Sequence, residues 1–250
     1  MTYARRVRKF TYEDSDYLPQ ISTASLEEIS LTRTSLSLLP HLHEPTYSTA
    51  SFGHWRFAVL FMNESVRRFI FQLDNQTEPL QLFLDSISTR MPYLTTLDLQ
   101  TNLRASDIEE DFIRLLSELP HLEEVVVPAF HITSRVMETL AKLPNLGVID
   151  SEYVIDQAAI GDKRDVRNFN PRAPKDGFPV LRNMALSAHL SQFIPLVAGT
   201  LAPAAKNLTS LVSVENGASV RQCFTVVGES FPLIKSIHLE ALPGPIMSTQ

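Results

Sequence analysis

Six apolar clusters in this chain are announced by the same punctuation. A Pro stands two residues before the first apolar position at Pro40, Pro92, Pro120, Pro144, Pro179 and Pro232. The Pro leads into the pattern L-x-x-L-x-L with any apolar residue at the marked places, seen at Leu94/Leu97/Leu99 and Leu122/Val125/Val127. The pattern also fits Val7/Phe10/Tyr12, Leu26/Ile29/Leu31, Val66/Phe69/Phe71, Leu181/Met184/Leu186 and Ile234/Ile237/Leu239, with weaker copies at Leu42, Leu146 and Leu208. From Leu42 onward the copies start 24, 28, 28, 24, 35, 27 and 26 residues apart. The closing x-L-x-L alternates, which is the signature of a short strand with one buried face.

Helical stretches fill the intervals. "ASDIEEDFIRLLSEL" places Ser106 and Glu109 at capping-box spacing and lines up Ile108, Phe112, Leu115, Leu116 and Leu119 as one apolar stripe. "TSRVMETLAKL" starts at a Thr/Ser cap, and "EPLQLFLDSIST" and "SVRQCFTVVGESF" fit the same part. Each unit therefore reads as strand, loop, helix, with the Pro ending the helix by disfavouring helical geometry in the residue before it. One such unit cannot bury both of its apolar faces. Side-by-side stacking can, and it predicts an α/β solenoid whose parallel sheet is curved, with the helices on the convex side.

Composition limits what such a scaffold does. A net charge of −6 argues against nucleic acid as the ligand. The single cysteine, Cys223, forms no internal disulfide, falls in an apolar run and is expected to be a buried thiol. With no secretory signal and no membrane-length apolar run, the chain is expected in the cytoplasm or nucleus, away from membranes. His41 and His43 flank Leu42 on one potential strand face, but no second cluster joins them, so solvent-exposed histidines are expected. No nucleophile elbow or phosphate loop occurs, and neither a catalytic group, a metal nor a cofactor is expected.

The residues resemble leucine-rich repeats. That consensus adds an Asn three places after the last Leu, a place filled here by Asn102 and Asn216. "YARRVRKFTYED", "MPYLTTLDLQ" and "LPHLEEVVVPAFHITSRVMETLAKLPNLGVI" further resemble mushroom-type fungal F-box proteins with degenerate leucine-rich repeats. The resemblance implies a substrate-recognition region, whose repeats hold the protein to be ubiquitylated while an F-box binds the adaptor of a cullin-type ligase. Val7 already belongs to the first strand-like unit, so the F-box is expected to be lost or to lie outside this chain. Residues 1–250 are then one repeat domain of a truncated form or fragment. The alternative is a repeat scaffold unconnected with ubiquitin.

The x positions of the strands are expected to face the concave surface. They present Asp98, then Glu123 and Glu124, then Asp150 and Glu152 on three successive units, which reads either as a solvated sheet surface or as an acidic face for a basic or polar segment of another protein. Earlier units present Arg8, Lys9, Arg67 and Arg68 instead. An insertion over 156–177, rich in both charges and in Pro and Gly, reads as a long loop that is either a second candidate for partner contact or a tolerated insertion without a role.

Overall fold

The structure, a computed structural model, describes residues 3–14, 21–32, 37–49, 54–73, 80–152, 169–172, 177–189, 194, 207–213, 217–230 and 235–241. Its strands are β1 (Lys9–Asp14), β2 (Glu44–Thr49), β3 (Arg68–Leu73), β4 (Thr96–Thr101), β5 (Glu124–Pro128), β6 (Val148–Glu152), β7 (Asn183–His189), β8 (Asn207–Ser213) and β9 (Ser236–Ala241). Its α-helices are α1 (Thr23–Thr32), α2 (Leu80–Arg90), α3 (Ala105–Ser117), α4 (Ser134–Leu140) and α5 (Gly217–Ser230), and a 3-10 helix spans His54–Leu60. Among the described residues the strands form one open sheet in chain order, β1 to β9, and every neighbouring pair is parallel. Parallel neighbours need a crossover, and among the described residues helices supply it from β1 to β6 and from β8 to β9. The helices pack in sequence, α2 on α3 and α3 on α4.

The repeat has a physical basis in two hydrogen-bond motifs. The Pro is the second residue of a β-turn. Leu42 N–H donates to Leu39 O at 3.0 Å, Leu94 to Met91 at 3.1 Å, Leu122 to Leu119 at 3.3 Å and Leu181 to Phe178 at 3.3 Å, each across an intervening Pro. The fixed φ of proline suits that position. Val66 closes the same turn on Asn63 without a Pro. There the Asn63 side chain accepts from Ser65 N–H at 2.9 Å and donates to Leu39 O at 3.1 Å in the preceding unit.

The second motif is a ladder at the start of each strand, where one carbonyl accepts from two successive N–H groups of the next unit. Arg8 O takes His43 and Glu44, His43 O takes Arg67 and Arg68, and Arg67 O takes Thr95 and Thr96. Thr95 O takes Glu123 and Glu124, Glu123 O takes Gly147 and Val148, and Gly147 O takes Arg182 and Asn183. All twelve bonds lie between 2.8 and 3.1 Å, so the units share one register. The first apolar column is a consequence: Leu42, Val66, Leu94, Leu122, Leu146 and Leu181 are each 0% exposed. Together with the inward strand residues and the helix stripes they belong to one core cluster.

Four expectations need correction. Leu26/Ile29/Leu31 is not a strand unit but part of α1, with Leu26 buried and Leu31 exposed. An i, i+3 apolar pair satisfies a helix as readily as it satisfies L-x-x-L. The Leu208 copy is three residues out of register: Met184 pairs with Leu208 and Leu208 with Ile237, so Leu208 holds the second apolar place of its unit. Asn102 is exposed, and the turn after β4 is closed by the buried Thr101, whose hydroxyl accepts from Leu103 N–H at 3.1 Å. The equivalent place after β5 holds Phe130 at φ 67, a left-handed conformation that Asn adopts more cheaply, here with the ring buried. Finally, α3 has Arg104 as its N-cap with no side-chain bond, so the Ser106/Glu109 capping box does not form. Asn216 lies outside the described residues.

The Thr cap of α4 is present, with Thr133 accepting from Val136 N–H at 3.3 Å. The insertion is partly described. Asn170 N–H donates to Ser134 Oγ at 2.7 Å, Arg172 N–H to Glu138 Oε1 at 2.7 Å and Phe178 N–H to Ala141 O at 3.0 Å. Phe169 and Phe178 are buried in the core. These parts therefore run along α4 as the crossover of their own unit; Lys163, Arg164, Arg167 and Lys175 lie outside the described residues.

His131 ties two successive loops together. It is buried, with Nε2 2.9 Å from Leu103 O in the preceding unit's loop and Nδ1 3.2 Å from Ala129 O. His131→Ala is expected to cost about 0.5–1.5 kcal/mol by removing the bond to the partly buried Leu103 carbonyl, read as a lower denaturation midpoint at unchanged slope. A variant as stable as the wild type would show that the bond between the two loops contributes nothing.

Candidate protein-binding surface

Alternation along each strand decides which side chains leave the core. With Leu97 and Leu99 of β4 turned inward, Thr96, Asp98 and Gln100 face the other way. Register then lines up equivalent places on successive strands. Lys9 lies beside Glu44, Arg68 beside Thr96, Thr96 beside Glu124, and Glu124 beside Val148. The row is laced with opposite charges. Lys9 Nζ is 2.5 Å from Glu44 Oε2, and Arg68 Nη1 reaches over Thr96 to within 3.9 Å of Glu124 Oε2. Thr96 Oγ1 donates to the same Glu124 oxygen at 3.2 Å. All four charged side chains are partly exposed, so each pair contributes under about 1 kcal/mol and is open to competition by a ligand.

The five acids expected on this surface are not equivalent. Asp98, Glu124 and Asp150 share the outward face of β4, β5 and β6. Val126 lies between Asp98 and Asp150, which sets those two carboxylates roughly 10 Å apart, two strand spacings. Asp98 is only 6% exposed, Glu124 is half-buried and Asp150 is exposed. Glu123 precedes β5, at the ladder edge of the sheet, with its side chain exposed. Glu152 ends β6 opposite Pro128, and its side chain lies outside the described residues. The accessible negative charge of the face is therefore centred on Asp150, with Glu124 already sharing its charge with Arg68.

A second polar cluster went unseen in the sequence. Glu109, freed from the capping box, accepts from Thr133 Oγ1, and Arg135 lies 3.3 Å from its other oxygen. Arg135 also grips Glu110 with both terminal nitrogens. Those hydrogen bonds, reinforced by the Arg135 charge, hold the Glu110 carboxyl below the usual carboxylate value of 4.5. The cluster joins the start of α3 to the start of α4. Its only sequence signal is the one-repeat offset between Glu109 and Thr133.

His41 and His43 are exposed, as expected. The Cys223 side chain lies outside the described residues. Among the described residues no three His, Cys, Asp or Glu side chains gather as metal ligands, and no helix is long and apolar enough to cross a membrane. No family model matches this chain, and no curated protein matches it.

Proposed function

We propose that this chain is a protein-binding module: an irregular leucine-rich-repeat-like solenoid, its parallel sheet curved with the helices on the convex side, that docks a segment of another protein on its open sheet face. The shared register of the ladder supports this reading. It lays the outward side chains of successive units in straight rows, a surface suited to an extended polypeptide rather than to a small substrate. By its resemblance to mushroom-type F-box proteins, the module is the substrate-recognition region of a ubiquitin-ligase receptor, and a binding protein rather than an enzyme.

The docked segment is basic or polar. A cation on it replaces Arg68 at Glu124 and meets Asp150, gaining affinity and association rate that both weaken with salt. Reversing the two accessible acids, Glu124→Lys with Asp150→Lys, is expected to abolish partner capture with the fold retained, since surface changes rarely cost more than about 0.5 kcal/mol each. The check compares proteins co-purifying with wild type and double variant at matched expression. Identical sets would make the face plain solvent surface. Retention of a cullin-ligase adaptor in the receptor's complexes separates the ubiquitin role from a scaffold role.

A further inference from the structure

Two arginines far apart in the chain hold the same pose. Arg8 Nη1 donates to Arg5 O at 2.7 Å and Val7 O at 3.4 Å, the carbonyls three and one residues before it, and lies 3.5 Å from His41 O. Arg67 Nη1 donates to Glu64 O at 2.7 Å and Val66 O at 3.1 Å, again three and one residues before it. Both occupy the ladder position at the edge where their strands begin, with the exposed His43 in the equivalent place between them. Each guanidinium is thus fixed by one nitrogen. Among the described residues Nε and Nη2, the edge that grips a carboxylate, make no hydrogen bond, and neither arginine pairs with an acid.

Arg5 and Arg6, exposed on the 3-10 turn Ala4–Arg6, extend the cationic edge on one side. On the other side Arg67 lies over the ring of the half-exposed Tyr93, 5.4 Å from its centroid, and Tyr93 packs on His121 at 5.7 Å. The local acids are few: Glu44 is held by Lys9, and Glu64 is exposed beside Arg67. Further along, the edge turns acidic with the exposed Glu118 and Glu123.

We infer that the edge formed by Arg5, Arg6, Arg8, Arg67 and Tyr93 binds a short acidic peptide segment. From β1 to β4 is three strand spacings, roughly 14 Å, enough for about four extended residues. Two anchored guanidinium forks roughly 10 Å apart are preorganised for two carboxylates, which lowers the entropy lost on binding. The acids beyond Tyr93 and the chain's net charge of −6 work against a longer polyanion such as nucleic acid. This site is independent of the acidic sheet face and carries the opposite charge preference.

The test is titration of a fluorescein-labelled octaglutamate peptide into the full chain. Saturable binding is expected, weakening as salt rises, and about tenfold or more weaker in Arg8→Glu with Arg67→Glu. Since those arginines also cap turn carbonyls, Arg5→Glu with Arg6→Glu, which leaves the caps intact, is expected to weaken binding several-fold at an unchanged melting temperature. Glu124→Lys with Asp150→Lys is expected to leave octaglutamate affinity intact, so the two surfaces fail or succeed separately. No binding of octaglutamate by the wild type would overturn the inference, as would unchanged affinity in both arginine variants. Tighter binding of an eight-residue oligothymidylate than of octaglutamate would overturn it in favour of nucleic acid.

Discussion

Val125→Asp is expected to yield a chain that does not fold. Val125 is 0% exposed and sits in register between Leu97 and Ile149, both inward in the same core cluster. A carboxylate there has apolar neighbours on the strand to either side and no water. Ionised, it meets a desolvation penalty comparable with the roughly 5–15 kcal/mol that separates a folded domain from its unfolded chain; neutral, it still leaves a buried polar group. Val148→Asp is the control, because Val148 is half-buried in the outward row beside Glu124 and its variant is expected to fold. Circular dichroism and a thermal melt of both decide the matter. A wild-type-like melt for Val125→Asp would mean that position 125 does not face inward and that the apolar columns are wrongly assigned.

Leu97→Ala is expected to fold, but at a loss of about 2–5 kcal/mol. Leu97 is fully buried between Phe69 of β3 and Val125 of β5. Removing its branch leaves a cavity that neighbours pinned by the ladder on both sides do not readily fill. The array transmits the damage to adjacent units, since each unit is stabilised chiefly by the neighbours it touches. A urea titration should show a lower midpoint. A slope reduced as well would indicate that units on either side of β4 begin to unfold separately. A loss below about 1 kcal/mol would show that this column tolerates a void.

The acidic face illustrates how far local pattern carries a site. Asp98, Glu124 and Asp150 were legible as outward residues because strand alternation needs only the period of two. Their inequality was not legible. Arg68 stands 56 residues before Glu124 and meets it only because β3 and β5 flank β4 in register. The burial of Asp98 likewise comes from neighbouring strands and not from its own sequence.

What the sequence determined by itself was the stacking order and the inward columns. A turn and then alternating apolar residues, recurring every 24 to 35 residues, leave room for one strand and one crossover per unit, and crossovers of that length suit parallel neighbours. The tertiary structure alone decided the rest. It turned Leu26/Ile29/Leu31 into helix, because three-residue apolar spacing is common to both periods. It moved the Leu208 unit by three residues, where polar substitutions had blurred the pattern. It took Glu109 out of its own helix cap to meet Thr133 and Arg135, and set His131 between two loops. Each of these depends on which groups a neighbouring unit brings within hydrogen-bond distance, a property of register between units rather than of any local stretch.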